Sequence, residues 1–207
     1  GQESTAMKTR DKILLSSLVL FNEEGEPNVT TVDISNEMDI SPGNLYYHFK
    51  GKDVIIQTLY ESFEAELIDI LNAPTDKALN IEDSWFYLYV VFEEIYNFRF
   101  FYQNLSNILQ RNPALAKRFK ALLKHKFNTT KAILEILIDN QVIIVDDLQA
   151  TEICQNINLI LTHWLNHAAL QDLPDNQVTI IHQGVFQIMS LIGPYFTNDY
   201  QHMYQEL

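Results

Sequence analysis

Basic residues are scarce. Fourteen lysines and arginines stand against 27 acids in 207 residues, giving a formal net charge of −13 and a pI near 4.7. That balance excludes a protein that holds nucleic acid by bulk electrostatics. Beyond Lys131 there is no lysine or arginine at all. The single cysteine, Cys154, excludes an internal disulfide and fits a cytoplasmic location. Apolar runs are short: the longest, Trp85 to Phe92, falls well below the roughly 18 residues that span a bilayer, so no membrane segment is expected. Charged residues follow Met7 directly, so no signal peptide is expected, and Gly1 to Ala6 read as a cloning remnant set aside from the fold. There is no glycine-rich phosphate loop, nucleotide fingerprint or Ser-His-Asp order, so no catalytic residue and no cofactor is expected.

Hydrophobic residues make up 47% of the chain, ample for a buried core. Every long segment has helical period and none alternates as a strand does, so the expected class is all-α. The first helix runs from Lys8 to Glu24 with Ile13, Leu14, Leu18 and Phe21 on one face, and Gly25 and Pro27 end it. Next come Thr31 to Met38, capped by Thr30 or Thr31 and anchored by Val32 and Ile34, and then Pro42 to Phe49. A longer helix capped by Asp53 reaches Leu71, where Ala73-Pro74-Thr75-Asp76 breaks the chain. Later helices are expected over Glu82–Phe98, Arg99–Gln110, Asn112–Ile138, from Asp146 or Asp147 to Leu170 and, after Pro174-Asp175, Gln177–Phe196.

The stretch from Asn28 to Lys50 reads as two short helices around a tight turn. Ser41 is a good N-cap, and Pro42 stands at the first helical position, where its missing N–H costs nothing. Leu45 and Phe49 form a buried stripe, which leaves Gly43, Asn44, Tyr47 and Lys50 on the opposite face, with Tyr46 and His48 on its flanks. A small helix with hydrogen-bonding residues outward and aromatics beside a lysine fits a major groove. From Ile40 to Lys52 there is no acid, so the local charge suits DNA although the whole chain's does not.

These residues carry a family resemblance. Arg10, Ile13, Leu20-Phe21, Gly25, Thr30-Thr31, Ile34, Ile40-Ser41, Gly43, Leu45-Tyr46, His48-Phe49 and Lys52 resemble the helix-turn-helix region of the TetR family of bacterial transcriptional regulators. Ser17 and Ser35 stand where that family usually has alanine, and Asp39 where its turn usually has glycine; a left-handed Asp39 would cost on the order of 1 kcal/mol. The resemblance implies a three-helix helix-turn-helix DNA-binding domain over 7–53, a linking helix over 53–71, and a larger helical ligand-binding and dimerisation domain over 76–207. The expected protein is a dimeric transcriptional regulator, most simply a repressor, released from a double-stranded DNA operator by a small effector. On residues and resemblance together, Asn44 and Tyr47 approach base edges and Gly43 lets the backbone come close. Tyr46, His48, Lys50, Lys52, Thr31 and the Ser41 hydroxyl hold phosphates.

Three further features remain. From Trp85 to Tyr102 there are more aromatics than one helix face can bury, several with hydroxyls needing partners. That mix suits a ligand cavity as well as a core. Tyr89, Phe92, Tyr96, Phe101, Phe127 and Trp164 are the candidate wall for a bulky, mainly apolar effector. The basic run Arg99, Arg111, Lys117, Arg118, Lys120, Lys124, Lys126 and Lys131 reads most simply as a solvated helix face; docking against the acidic helix ending at Leu71 is the alternative, and contact with DNA phosphates a third. On the last two long helices, Ile153, Ile157, Ile160, Leu161, Trp164 and Ala168 form one apolar band. Val178, Ile181, Val185, Ile188, Met189 and Ile192 form another, with Gly184 and Gly193 allowing close approach. Their polar faces hold no lysine or arginine, which suits a homodimer through these helices. His163 and His167 share a face at a spacing that can bind metal, but no carboxylate or cysteine completes a set, so no metal site is expected. The competing readings are a DNA-bound scaffold protein without effector control and a helical ligand carrier or metal enzyme.

Overall fold

Local capping decides where the helices begin. The computed structural model describes residues 7–73, 80–174 and 176–206, and leaves aside the side chains of Met203 and Tyr204. Its helices are α1 (Thr9–Glu24), α2 (Thr31–Glu37), α3 (Pro42–His48), α4 (Lys52–Leu71), α5 (Ile81–Asn97), α6 (Arg99–Gln103), α7 (Leu105–Arg111), α8 (Pro113–Asp139), α9 (Asp147–Ala168), α10 (Gln177–Ile192) and α11 (Asn198–Glu206). There is no strand among the described residues, only an isolated bridge between Ile143 and Phe196. The all-α expectation holds. Thr30 accepts from the Asp33 N–H while Asp33 returns a bond to the Thr30 N–H, and Asn80/Asp83 and Asp146/Gln149 form the same reciprocal pair. Ser41 caps α3 by accepting from the Asn44 N–H at 3.0 Å.

Several expectations need correction. Gly51, not Asp53, precedes α4, and Asp53 lies in its first turn, where a carboxylate still favours the helix dipole. Val32 is exposed while Ile34 is fully buried, because a seven-residue helix turns only one of the two inward. The helix expected from Arg99 to Gln110 is broken at Asn104, whose side chain bonds Glu26. The last long helix stops at Ile192, and Gly193–Tyr195 form a 3₁₀ turn before α11, which the sequence pattern did not reveal. The break after Ala73, the cloning remnant and Asp175 lie outside the described residues.

The two apolar bands of α9 and α10 are used inside the protomer. Ile153, Ile157, Leu161, Trp164 and Ala168, with Ile181, Val185, Ile188, Met189 and Ile192, are all buried, and of both bands only Val178 is exposed. Helix α10 packs against both α5 and α9, and α9 packs against α8, which consumes these faces. At the crossing, a Cβ placed on Gly184 would stand 2.8 Å from the Trp164 ring and 2.9 Å from Phe92, so only glycine lets the helices come this close. The Trp164 indole N–H donates to the Ile180 carbonyl at 2.9 Å.

Candidate nucleic-acid interface and effector region

Helix α3 leaves its contact face open. Leu45 and Phe49 are 2% exposed and anchor it, while Tyr46 is 57% and Tyr47 77% exposed, and Gly43 and Asn44 also face solvent. The tight turn before it depends on Asp39, whose φ of 54° is left-handed, the case in which the sequence expected a small cost. Lys50 lies 4.5 Å over the Tyr46 ring, and the His48 ring meets Tyr47 edge-on at 5.1 Å. Thr31 and His48 are half-buried, and the Ser41 hydroxyl, though accepting its cap bond, keeps its own hydrogen to donate. Exposed amide and phenol groups on one short rod, with an ammonium just beyond its end, can read base edges and grip phosphates.

Lys52 is placed differently from the expectation. Its ammonium donates to the Glu26 carbonyl and lies 3.3 Å from the Glu26 carboxylate. An inward ion pair therefore holds the side chain that was expected on a phosphate. Glu26 is 1% exposed and also takes Arg111 at 2.7 Å and the Asn104 amide at 2.9 Å. Burial alone pushes its carboxyl up; the Arg111 hydrogen bond and the charges of Lys52 and Arg111 outweigh that and hold it below the ordinary value. Arg111 also reaches Asp53 at 3.5 Å. A second junction sits one turn earlier: Asn22 donates to the Asn97 carbonyl at 2.8 Å and accepts from the Phe100 N–H at 3.0 Å. The end of α1 is thus fastened to the α5–α7 region by two side chains. Sequence reasoning missed both, since Asn97, Phe100, Asn104 and Arg111 lie 75 to 85 residues from Asn22 and Glu26 and even Lys52 lies 26 from Glu26.

The basic run divides. Arg118 pairs with Glu61 at 3.2 Å and Glu64 at 2.7 Å on α4, which is the docking alternative, and Lys131 pairs with Asp147 at 2.8 Å. Lys117, Lys120 and Lys124 are exposed, the simple solvated reading, and Lys126 is buried.

The candidate wall residues are not gathered around one cavity. Phe101 sits in a closed aromatic cluster, 5.4 Å from both Tyr60 and Phe119 and 5.0 Å from Phe98, where Phe63 and Phe98 stack at 4.6 Å. Phe92 and Trp164 face each other across Gly184. Phe127 lines an open groove of about 580 Å³ between α8 and α9, with Leu123, Asn158, Leu159 and His163. Tyr96 lines a more polar cleft of about 690 Å³ with Arg99, Gln103 and the end of α1. Tyr89 is half-buried. His163 and His167 are exposed, and no third metal-ligating side chain stands beside them among the described residues. No described helix is long and apolar enough to cross a membrane.

A short exposed helix behind a capped turn, carried on a larger helical body, defines a helix-turn-helix transcription factor. A family model described as bacterial regulatory proteins of the tetR family matches residues 13–59, and a second, TetR bacterial transcriptional repressor, matches 62–204. The chain belongs to the TetR family of transcriptional regulators, a family of regulators rather than enzymes. It is 35% identical to a TetR-family transcriptional regulator from Marinobacter aquaeolei VT8, whose crystal structure superposes with a TM-score of 0.87 over 97% of both chains. It is 31% identical over 80 residues to IcaR of Staphylococcus epidermidis, the negative regulator of the biofilm operon icaADBC, but that match spans only 43% of IcaR's length and 39% of this chain. The regulator UidR of Escherichia coli K12 is 26% identical over 166 residues, 80% of this chain and 79% of that protein.

Proposed function

We propose that this protein is a cytoplasmic, homodimeric repressor that binds a double-stranded DNA operator through α3 and is released by a small, mainly apolar effector. The observation that carries the reading is the outward face of α3, where Asn44 and Tyr47 stand free above a firmly anchored stripe. Residues 7–53 form the reading head, α4 links it, and 76–207 hold the effector and the dimer contact. Asn44 and Tyr47 address base edges; Tyr46, His48, Lys50, Thr31 and Ser41 address phosphates. Lys52 acts at one remove, by fixing the start of α4 against Glu26.

The dimer forms through the faces of α9 and α10 that remain outward. There Leu159, Val178 and Phe186 are exposed, and no lysine or arginine opposes a symmetric partner. Two reading heads then enter successive major grooves, with half-sites about 10 base pairs, or roughly 34–36 Å, apart or somewhat more. Effector binding among α4, α6, α8 and α9 shifts α4 and the junctions at Asn22 and Glu26, and so changes the spacing of the heads. The size of that response is bounded by the effector's differential affinity for the two spacings.

Selection of bound sequences from random DNA with the purified protein tests this reading. A recovered two-fold symmetric sequence whose binding is lost in Asn44→Ala, Tyr47→Ala protein is expected. Recovery of no consensus would overturn it.

A further inference from the structure

Between α4, α6, α8 and α9 the aromatic cluster closes over one basic side chain. Lys126 is 1% exposed. Its Nζ meets the Tyr102 hydroxyl at 3.0 Å and lies 5.4 Å from the Tyr102 ring and 5.8 Å from that of Phe119. Elsewhere in the basic run, the half-buried Arg99 lies over the Tyr96 ring and donates to the Tyr96 carbonyl, and Arg111, Arg118 and Lys131 each have a carboxylate. Lys126 is the most deeply buried of them and has none among the described residues. An ammonium has three donors, so a single bond to Tyr102 leaves two N–H groups without an acceptor. A buried charge in that condition is costly unless something pairs with it.

Nothing on the surrounding helices supplies the missing anion. The phenols of Tyr102 on α6 and Tyr60 on α4 are pushed above their ordinary value by burial and stay neutral. Glu64 and Glu61 on α4 are engaged by Arg118. On α9, burial pushes the Cys154 thiol up to about 11, and Asn158, Thr162 and Asn166 carry no charge. Burial pushes the Lys126 ammonium itself down to about 7. Grooves flank α8 on either side: one of about 170 Å³ lined by Ile68, Leu122 and His125, and the larger one lined by Leu123 and Phe127. Each includes a residue within one helical turn of Lys126.

We propose that Lys126 and Tyr102 anchor the acid group of the effector, which is therefore an amphipathic carboxylate rather than a neutral apolar molecule. This rests on the effector-responsive reading given above. The carboxylate takes the two unused Lys126 N–H groups, and the apolar body lies in the larger flanking groove against Leu123, Phe127 and Leu159. Binding is then linked to a proton. Above the pKa of the free amine each bound acid draws a proton onto Lys126, and affinity falls by up to tenfold per pH unit.

The test uses the full chain and a panel of octanoate, dodecanoate and 2-naphthoate, each set against its primary alcohol, with affinity read from tryptophan fluorescence at pH 6 and pH 8.5. The wild type is expected to prefer at least one acid over its alcohol by tenfold or more at pH 6, with most of that preference gone at pH 8.5. Lys126→Met and Lys126→Gln should bind acid and alcohol alike at both pH values. Removing an unpaired buried amine should also raise the melting temperature of Lys126→Met, more at pH 6 than at pH 9, which shows that the variant folds. Absence of acid preference in the wild type, or its survival in both variants, overturns the anchor. DNA affinity measured alongside keeps the two readings apart. If specific DNA binding is absent, the regulator reading fails whatever the acids do; if DNA binds and only an alcohol releases it, the anchor alone fails.

Discussion

The outer face of α3 and the junction beneath it handle polar groups in opposite ways. On α3 the Asn44 amide and the Tyr47 phenol are turned outward, and just beyond its end the exposed Lys50 lies over the Tyr46 ring. A few residues away, Glu26 is sealed from water and meets Lys52, Arg111 and Asn104 at once. The first arrangement costs little and leaves hydrogen-bonding capacity available. The second fixes geometry, because a buried carboxylate tolerates no partner leaving. A reading head must be open where it meets its target and rigid where it meets its own body, and in this chain the two demands fall on different side chains.

The sharpest way to break that contrast is Arg111→Ala. It strands a buried carboxylate with Lys52 and Asn104 alone, and should cost about 2–3 kcal/mol of stability in denaturant melts. Glu26→Leu combined with Arg111→Met should recover much of that loss, and a loss below about 0.5 kcal/mol for Arg111→Ala would show the junction to be slack. Within the body, Gly184→Ala forces the Trp164 and Phe92 rings aside and should cost about 1–3 kcal/mol by the same measurement. On the open face, Asn44→Ala should leave stability unchanged and reduce discrimination between the selected operator and scrambled DNA by about 1–3 kcal/mol in anisotropy titrations. Equal loss on both DNAs would remove Asn44 from base reading. Lys50→Ala should weaken all sequences alike and flatten the salt dependence by about one unit, whereas Lys52→Ala should act mainly on stability.

The smallest effect concerns α4 and α5. Burial, with the neighbouring Glu66 and Glu93 carboxylates, raises the Glu94 carboxyl to about 7. In the folded state this group holds its proton where the unfolded chain has already lost it, so its contribution to stability is complete below about 4.5 and is lost as pH rises through about 7. Glu94→Gln should therefore raise the melting temperature at pH 8 and leave it almost unchanged at pH 4. An equal rise at both pH values would show that the carboxyl does not titrate as described.

What could be read from the sequence was what is decided locally. Ser41, Pro42 and Leu45 set the start and the buried stripe of α3 within a single turn, and Asp39 betrayed its left-handed backbone by standing where the resemblance implied glycine. The starts near Thr30 and Asp146 were legible to within one residue for the same reason, and the structure selects Thr30 over Thr31 and Asp146 over Asp147 as the caps. Lys52 was read as a surface lysine because nothing adjacent in sequence reveals that Glu26 lies beneath it. Glu26 itself passed as one more acid in an acidic chain, since its partners Asn104 and Arg111 lie 78 and 85 positions on. The apolar bands of α9 and α10 were visible, but a band does not state whether α5 and α8 or a second protomer covers it. The fold covers them with α5 and α8.

The buried Glu26 has a consequence for evolution and for engineering. A reading head moved onto a body without a counterpart of Arg111 would bring a dehydrated anion to a surface with no guanidinium waiting for it. Chimaeras made by exchanging the first fifty or so residues should misassemble unless Asn104 and Arg111 travel with them. Within this lineage the two halves are therefore expected to change together at these positions, and shuffling of heads among paralogues meets a lock at Glu26.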